Sequence, residues 1–365
     1  MTSESLNNRD WQSIVEKLGG AEDLAKSARE TKAFQRPRTI TSAVDLLRII
    51  LAYCLGQTGL RATSAWASAV GLAELSNVAL LQRLRRSGDW LALLVGQALA
   101  RHAPSVGHGR CIRIVDGTSV PKAGGNAKKK SQLWRIHSAF DLPDERFGHF
   151  LLTDQQEGEK LDLIPVIKGE IRLADRAYMQ PDRIAAVLAQ GGDVVIRAGW
   201  KSARWRHADG APFDLIEAFR AAQDGLIDRP IQVERKGGAP LALRLIAVKK
   251  PPAAAEAARR QARRAAQREG YTISDAALTA ADWVIIVTSL TPQDFTTGEV
   301  LALYRLRWRI ELAFKRLKSL IGLRGPPGFD ERSAKPYILA HLLTILLLEP
   351  LIDELEDSPR WAIAA

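Results

Sequence analysis

The chain has 365 residues, which favours two or three domains, and its formal net charge of +11 makes an acidic polymer such as DNA or RNA the leading partner. A membrane surface is a poorer partner, because the basic residues are spread along the chain and do not gather on one amphipathic helix. Cys54 and Cys111, the only two cysteines, sit in apolar runs, which excludes a disulfide framework and a zinc site. The N-terminus carries no apolar signal segment, so we expect a soluble cytoplasmic protein.

Residues 13–103 are predicted to be helical throughout, because apolar residues recur at helical spacing, and residues 1–105 are assigned to an all-α N-terminal domain. Two short helices within it are joined by a Gly-containing turn, with Ser76 as the expected N-cap of the second. Arg83 and Arg86 of that second helix are candidates for DNA contact, either in a helix-turn-helix or on phosphates. The alternative is a small helical bundle whose arginines are merely solvated.

After residue 105 the pattern changes to strands interleaved with helices, which is typical of an α/β core with a mixed sheet. β-branched runs predict strands at CIRIVDG, WRIHSAFDL, FGHFLLTD, EIRLAD and GDVVIRAG, of which the second and third form a β-meander around LPDER. A helical stretch is expected near residues 161–167 and a helix at RIAAVLAQ. These elements make up the first part of the core, residues 106–199.

Residues 200–283 break that rhythm and are assigned to an inserted β-rich subdomain with a basic helix. Its strands are expected at IQVERK and LALRLIAVKK, and they are followed by the tract KKPPAAAEAARRQARRAAQREG. Arg259 and Arg263 recur there at helical spacing and are candidates for phosphate contact, although charge runs are usually solvated helices. The strand WVIIVTSL returns to the core, which continues over residues 284–330, and residues 331–365 hold an apolar buried helix.

The segment LALYRLRWRIELAFKRLKSLIGL predicts one helix that carries Tyr304, Arg307, Glu311 and Lys318 on a single face. At about 100° per residue, these four side chains fall within roughly a 60° arc, and an apolar stripe lies about 120° away. One side of the helix therefore packs against a core, and Trp308 is expected to pack as well. A helix built only to pack would not need the second, polar face.

Asp116 and Asp175 are expected to end the strands CIRIVD and EIRLAD, and ligand groups in open α/β sheets gather where strands end. Taken singly, each is more readily interpreted as an aspartate that starts a turn, which is common before Gly. Together with Glu311, however, they supply three hard-oxygen carboxylates, the donor type that two Mg²⁺ ions about 4 Å apart prefer. Two such ions activate an attacking oxygen and stabilise the leaving oxygen of a phosphodiester.

The neighbours of these carboxylates suit the handling of phosphates. Arg307 and Lys318 can neutralise flanking phosphates, and the Tyr304 hydroxyl can donate a hydrogen bond to one. The spacing Tyr-x2-Arg-x3-Glu-x6-Lys, with the Asp-Gly-Thr context of Asp116 and the Asp-Arg-x-Tyr context of Asp175, resembles DDE transposases of the insertion-sequence-four family, bacterial cut-and-paste enzymes. The resemblance runs from about residue 110 to about residue 320.

The resemblance implies a ribonuclease-H-like core that is interrupted by a β-rich insertion between the second Asp and the Glu. It implies that Asp116, Asp175 and Glu311 are catalytic ligands of two Mg²⁺ ions, for which Mn²⁺ can substitute. It also implies double-stranded DNA partners (terminal inverted repeats and target), a homodimeric synaptic complex and a nucleoid-associated location. In relatives a Trp on the strand that leaves the insertion stacks on a flipped base; Trp283, 28 residues before Glu311, has that position, and the alternative is a core Trp.

The leading hypothesis is a transposase. Water cuts one strand at each element end, the freed 3′-hydroxyl attacks the opposite strand to give a hairpin, and the opened end is joined to target DNA. Two alternatives stay open: a structure-specific metal-dependent nuclease without strand transfer, and a catalytically silent DNA-binding repressor derived from a transposase.

Overall fold

The computed structural model describes residues 3–56, 58–101, 110–122, 133–142, 146–308, 310–311 and 330–356. Its first part is helical, as predicted, with α1 Ser3–Lys17, α2 Gly20–Glu30, α3 Ala43–Leu55, α4 Leu60–Ala69, α5 Asn77–Arg86 and α6 Gly88–Arg101. Ser76 caps α5 as expected, because its side-chain oxygen accepts a hydrogen bond from the amide of Ala79 in the first turn.

Within the described residues, nine strands, numbered in chain order, form one mixed sheet in the order β3-β2-β1-β4-β5-β9-β8-β7-β6. The strands β1, β4 and β5 are parallel to one another, and every other neighbouring pair is antiparallel. The predicted α/β class and the β-meander are thus confirmed. The strands span β1 Ile112–Pro121, β2 Leu133–Leu142, β3 Arg146–Asp154, β4 Ile171–Ala174, β5 Asp193–Ala198, β6 Trp205–His207, β7 Leu226–Val233, β8 Leu241–Lys249 and β9 Trp283–Thr288.

Helices cover both faces of this sheet, because side chains alternate along each strand and both sets are apolar. Ile114 and Leu173 face a core shared with α11, α12 and the N-terminal helices, whereas Val115 and Ile196 face a second core with α7, α8 and α10. The remaining helices are α7 Pro181–Ala189, α8 Leu215–Ala221, α9 Pro252–Glu269, α10 Asp275–Ala281, α11 Thr297–Arg305 and α12 Glu331–Glu356.

The predicted apolar C-terminal helix is α12, which packs against α3, α5, α6 and β3. Its residues Ile338, Leu342 and Leu343 are fully buried. The N-terminal helices therefore share one apolar core with the sheet. Within the described ranges, no helix is both long enough and apolar enough to cross a membrane.

The strands of the segment 200–283 extend the same sheet through pairing of β8 with β9. On β7 and β8, the buried Arg244 binds both carboxylate oxygens of Asp228, at 2.8 and 2.6 Å, and the carbonyl of Phe295 at 2.6 Å. These bonds tie the segment to the loop before α11. The orientation of α11 therefore depends on the inserted strands as well as on the core.

Residues 161–167 do not form the expected helix; only Leu161–Leu163 make a single 3₁₀ turn. Pro165 has no amide hydrogen, and the buried guanidinium of Arg172 takes up the carbonyls of Ile164 at 3.1 Å and Pro165 at 2.9 Å. Side-chain hydrogen bonds thus replace helical ones along this segment.

Candidate active site

Asp116 does not end its strand, contrary to expectation. The strand β1 continues for five residues beyond it to Pro121, because the longer antiparallel partner β2 keeps it extended. The parallel neighbour β4 stops pairing at Ile114, opposite Leu173. Asp116 therefore lies two residues beyond the last β1–β4 pair, on the same face of the sheet as Ile114. It still marks the carboxyl edge of the parallel strands.

Asp175 follows β4 directly, as predicted, and starts the 3₁₀ turn Arg176–Tyr178. Its Oδ1 accepts a hydrogen bond of 2.8 Å from the amide of Ala177. Asp175 therefore also starts a turn, which was the alternative interpretation of this residue. It uses only one of its two carboxylate oxygens to do so. The end of the β1–β4 pairing and the end of β4 place Asp116 and Asp175 at the same edge of the sheet.

The electrostatic environment shows how closely the acidic groups crowd Asp116. Burial raises the pKa of Asp116 to about 6; the amide of Gly117, at 2.8 Å, and Arg307 lower it, while the negative charges of Asp175 and Glu159 raise it. Asp175 and Glu159 therefore lie close enough to Asp116 for their negative charges to disfavour its ionised form.

This raised pKa predicts how Asp116 affects stability. A folded-state pKa above the unfolded one means that the folded state binds more protons, so the free energy of unfolding falls as the pH rises from about 4 to about 6. We expect Asp116→Asn to be more stable than the unsubstituted protein by about 2 kcal/mol at neutral pH and equal to it near pH 4. Urea unfolding in the presence of a chelator measures this difference, and a less stable variant at neutral pH would contradict it.

The helix that carries the four-residue motif is interrupted, contrary to the prediction of one continuous helix. α11 ends at Arg305, and the amides of Leu306 and Arg307 bond to carbonyls three residues back, at 3.0 and 3.1 Å. The chain is helical again at Trp308, Ile310 and Glu311. These tighter bonds change the rotation between residues, so the single-face geometry calculated for an ideal helix does not hold across Leu306. Lys318 lies outside the described residues.

Arg307 connects the motif to the sheet. Its Nη1 lies 3.7 Å from Oδ2 of Asp116, and its Nη2 donates a short hydrogen bond to Oε1 of Glu311. Tyr304 also interacts with this guanidinium; burial raises the pKa of Tyr304, whereas Arg307 and Arg197 lower it. The predicted phosphate-binding arginine is thus paired with two of the predicted metal ligands.

The donor chemistry fits a hard divalent cation, because Asp175 and Glu159 lie within electrostatic reach of Asp116 and burial already penalises the Asp116 charge. The positions of the side chains do not fit such an ion. Within the described residues, no three Asp, Glu, His or Cys side chains are grouped closely enough to hold one ion. Glu311 is turned toward Arg307, with 57 % of its side chain exposed.

Glu159 is a member of this region that sequence patterns did not show. A Cβ at Gly117 would lie 3.0 Å from Oε1 of Glu159, so the glycine of the Asp-Gly-Thr motif gives this carboxylate room. Nη1 of Arg135 lies 3.3 Å from the same oxygen. Glu159 stands in an irregular segment between β3 and β4, where no periodicity or motif singles it out.

Tyr178 is the second residue that was missed, although its Asp-Arg-x-Tyr context was visible. Its ring is fully buried, and within the described part of the chain its hydroxyl has no hydrogen-bond partner. Burial raises the pKa of Tyr178 well above its usual value, and the charges of Asp116, Glu159 and Asp175 raise it further. Its phenol stays neutral and faces an acidic region.

Of the two tryptophans near the motif, Trp283 is buried and Trp308 is exposed. Trp283 is only 4 % exposed, and its indole stacks on Phe219 with ring centroids 4.7 Å apart and an angle of 11°. The expected base-stacking face is therefore covered by a phenyl ring, and the core interpretation describes Trp283 in this structure. Trp308, for which packing was expected, is 51 % exposed. It lines a cavity of about 410 Å³ with Tyr304 and Arg307.

The arginines predicted to contact DNA differ in their exposure and in whether a carboxylate pairs with them. Arg259 on α9 pairs with both carboxylate oxygens of Asp282, at 2.9 and 2.8 Å, which is a structural role. Arg263 is exposed on the same helix, and Arg86 is exposed on α5. Arg83 is half-buried; burial and the positive charges of Arg86 and Arg38 lower its pKa.

Comparison with known proteins identifies the class. Residues 107–326 match the family described as Transposase DDE domain. The chain is 37 % identical, over 97 % of both lengths, to the Escherichia coli (strain K12) protein named putative transposase InsL for insertion sequence element IS186A. It is 36 % identical, over 97 % of both lengths, to the Escherichia coli transposase for insertion sequence element IS421. The chain belongs to the DDE transposase family, which confirms the resemblance found in its motifs, and it is an enzyme that acts on DNA.

Proposed function

We propose that this transposase moves an insertion sequence by a cut-and-paste reaction. The observation that carries the proposal is the meeting of Asp116 and Asp175 at one sheet edge, with Arg307 joining Asp116 to Glu311. The proposed layout is a ribonuclease-H-like core of residues 106–199 and 284–330, a β-rich insertion of residues 200–283, a DNA-binding domain of residues 1–105 and a C-terminal segment of residues 331–365.

In the proposed reaction, water first cuts one strand at each end of the element. The freed 3′-hydroxyl then attacks the opposite strand, which releases the element with hairpin ends and breaks the bond to flanking DNA. A second water opens each hairpin, and the regenerated 3′-hydroxyl attacks target DNA. Each step exchanges one phosphodiester bond for another or hydrolyses it, so no oxidant or energy source is needed.

Asp116, Asp175 and Glu311 are the proposed ligands of two Mg²⁺ ions, which Mn²⁺ can replace. When bound, such ions lower the pKa of the attacking oxygen and neutralise the leaving one. Glu311 can turn to the sheet edge only if it leaves Arg307. Arg307 is then free to bind a phosphate bidentately, so arrival of DNA at Arg307 favours release of the carboxylates. Tyr304 and Lys318 are proposed to position neighbouring phosphates.

The DNA partner is proposed to be the terminal inverted repeats and the target, bound by a homodimer in a synaptic complex. The solvent side of α5 supports end recognition, because Val78, Gln82 and Arg86 follow one another at four-residue spacing and are all exposed. The apolar and the amide side chain can contact a thymine methyl and an adenine edge, and the guanidinium can contact a phosphate of the backbone. We propose that the protein works in the cytoplasm on nucleoid DNA.

Product analysis tests the proposal. The purified protein is incubated in Mg²⁺ with a supercoiled plasmid that carries the element ends, and the products are separated on native and denaturing gels. We expect excised element and target DNA joined to element ends, with hairpin-ended intermediates on the denaturing gel. Cleavage without any joined DNA would identify a nuclease, and open ends at every time point would remove the hairpin step.

Gly117→Ala is expected to slow excision about tenfold, because the new methyl group would lie 3.0 Å from Oε1 of Glu159 and displace that carboxylate beside Asp116. The matched control is Gly96→Ala on α6, where an added Cβ meets no atom within 4 Å. Excision rates of the two variants, at equal fraction folded, measure the effect. Equal rates would show that the approach of Glu159 to Gly117 is without consequence for the reaction.

A further inference from the structure

A polar pocket of about 500 Å³ lies where the end of α2, the α5–α6 junction and the start of α12 meet. Its lining is unevenly charged, with five cationic side chains against one carboxylate. These charged residues are Lys32, Arg85, Arg86, Arg332, Lys335 and Asp89. The pocket is remote in sequence from the candidate active site, and it combines the N-terminal helices with the C-terminal one.

Two of the cations hold the elements together. Arg85 of α5 lies 2.9 Å from Asp330 and donates to the hydroxyl of Ser333 at 3.2 Å, which fixes the first turn of α12. Lys335 of α12 lies 2.9 Å from Asp89 of α6. Asp89, the one carboxylate of the lining, and the neighbouring Asp330 are thus both engaged by these contacts.

Three further cationic side chains at the pocket have no close ion pair within the described residues. Lys32 and Arg86 are exposed and have no carboxylate partner among the described residues, and Arg332 reaches Asp330 only at 3.5 Å, with 73 % of its side chain exposed. Arg83 and Arg38 continue the positive surface, since the charges of Arg86 and Arg38 both act on Arg83. Such a cluster attracts an anion from outside the chain.

Lys32 has an unusual backbone. Its φ is +58°, which makes it the single non-glycine residue with positive φ in the described ranges. Glycine or asparagine is preferred at such a position. The turn at Lys32 closes α2 through a hydrogen bond of 3.0 Å from the amide of Phe34 to the carbonyl of Ala28. Strained residues are retained where their side chains are used, and this side chain lines the pocket.

We propose that this pocket binds a phosphate group of the DNA backbone through Lys32, Arg86 and Arg332. Guanidinium groups bind phosphate oxygens bidentately and an ammonium adds a point charge, so these three groups match a phosphodiester. Because the pocket is composite, one phosphate links the α2–α5 surface to α12, which packs on the sheet. The inference rests on the proposed action on DNA and names a contact outside the candidate active site.

The test is the salt dependence of binding to a short fluorescent DNA duplex, measured by anisotropy for the full-length protein. For the double variant Lys32→Gln/Arg332→Gln, we expect weaker binding and a slope of log K against log salt that is smaller by about 1, the value for one lost phosphate contact. The control is Lys26→Gln, an exposed lysine of α2 that does not line the pocket. It should leave the slope unchanged.

Lys32→Gly separates binding from folding. Glycine tolerates the positive φ, so the melting temperature should not fall while the salt slope does. A slope equal to that of the unsubstituted protein in both variants would overturn the proposal, as would weaker binding at an unchanged slope. If both variants lower the slope but the unsubstituted protein never excises the element, the cut-and-paste proposal fails and the phosphate pocket stands.

Discussion

Replacement of Glu311 by Gln is expected to lower the rate of element excision by about a thousandfold or more. The amide is neutral and a weak ligand for a hard divalent cation, so one of the three carboxylates of the proposed metal site would be lost. The fold should be unaffected, because the Glu311 side chain is more than half exposed. Excision from a supercoiled plasmid in Mg²⁺ gives the rate, and binding to a labelled element end confirms that the variant still recognises DNA.

Glu269→Gln is the matched control, because this glutamate lies exposed at the end of α9 and undergoes the same chemical change. It should excise at the rate of the unsubstituted protein. If Glu311→Gln also kept that rate, Glu311 would not be a metal ligand, and its bond with Arg307 would then be a purely structural contact.

The second large effect is expected for Arg113→Met, which should lower the free energy of unfolding by about 3–5 kcal/mol. Its buried guanidinium binds both carboxylate oxygens of Asp141, at 2.6 and 2.7 Å. It also lies 3.5 Å from Glu170, which in turn binds the buried Arg172 at 2.6 Å. Methionine fills a similar volume but leaves Asp141 as a buried charge without its bidentate partner.

Urea unfolding midpoints measure this loss, and Arg220→Met is the control because its ion pair with Asp275 is exposed and should contribute less than about 1 kcal/mol. The double variant Arg113→Met/Asp141→Leu should recover part of the lost stability, since it removes the unpaired charge as well. Equal destabilisation by Arg113→Met and Arg220→Met would show that the buried network contributes nothing specific.

Most strands were predictable because they are β-branched runs bounded by turn residues, and β4 and β5 appear where their patterns placed them. β6 was not predicted, and β7, expected at residues 231–236, spans Leu226–Val233. The end of β1 was not, since nothing near Asp116 reveals that β2 runs alongside as far as Pro121. The failed helix at residues 161–167 has a similar origin. Its backbone bonds go to Arg172, a partner whose burial a local pattern does not reveal.

The residues of the candidate site also divide into those that local sequence patterns predicted and those that they did not. Asp175 and Arg307 were visible from strand ends and helical spacing, whereas Glu159 depends on a close approach to Gly117 that only the fold creates. Trp283 was ambiguous in the sequence, and Phe219, 64 positions earlier, decides its environment. A side chain whose role depends on a distant contact carries no local signal.

Asp116, Asp175 and Glu311 are proposed to form one divalent-metal site at the edge of the parallel strands. A titration of Mn²⁺ into the protein bound to duplex DNA carrying an element end, followed by electron paramagnetic resonance, tests this site. We expect two Mn²⁺ ions per chain in the unsubstituted protein and fewer in each of Asp116→Asn, Asp175→Asn and Glu311→Gln. Undiminished Mn²⁺ binding in the three variants, or no Mn²⁺ binding in the unsubstituted protein, would contradict it.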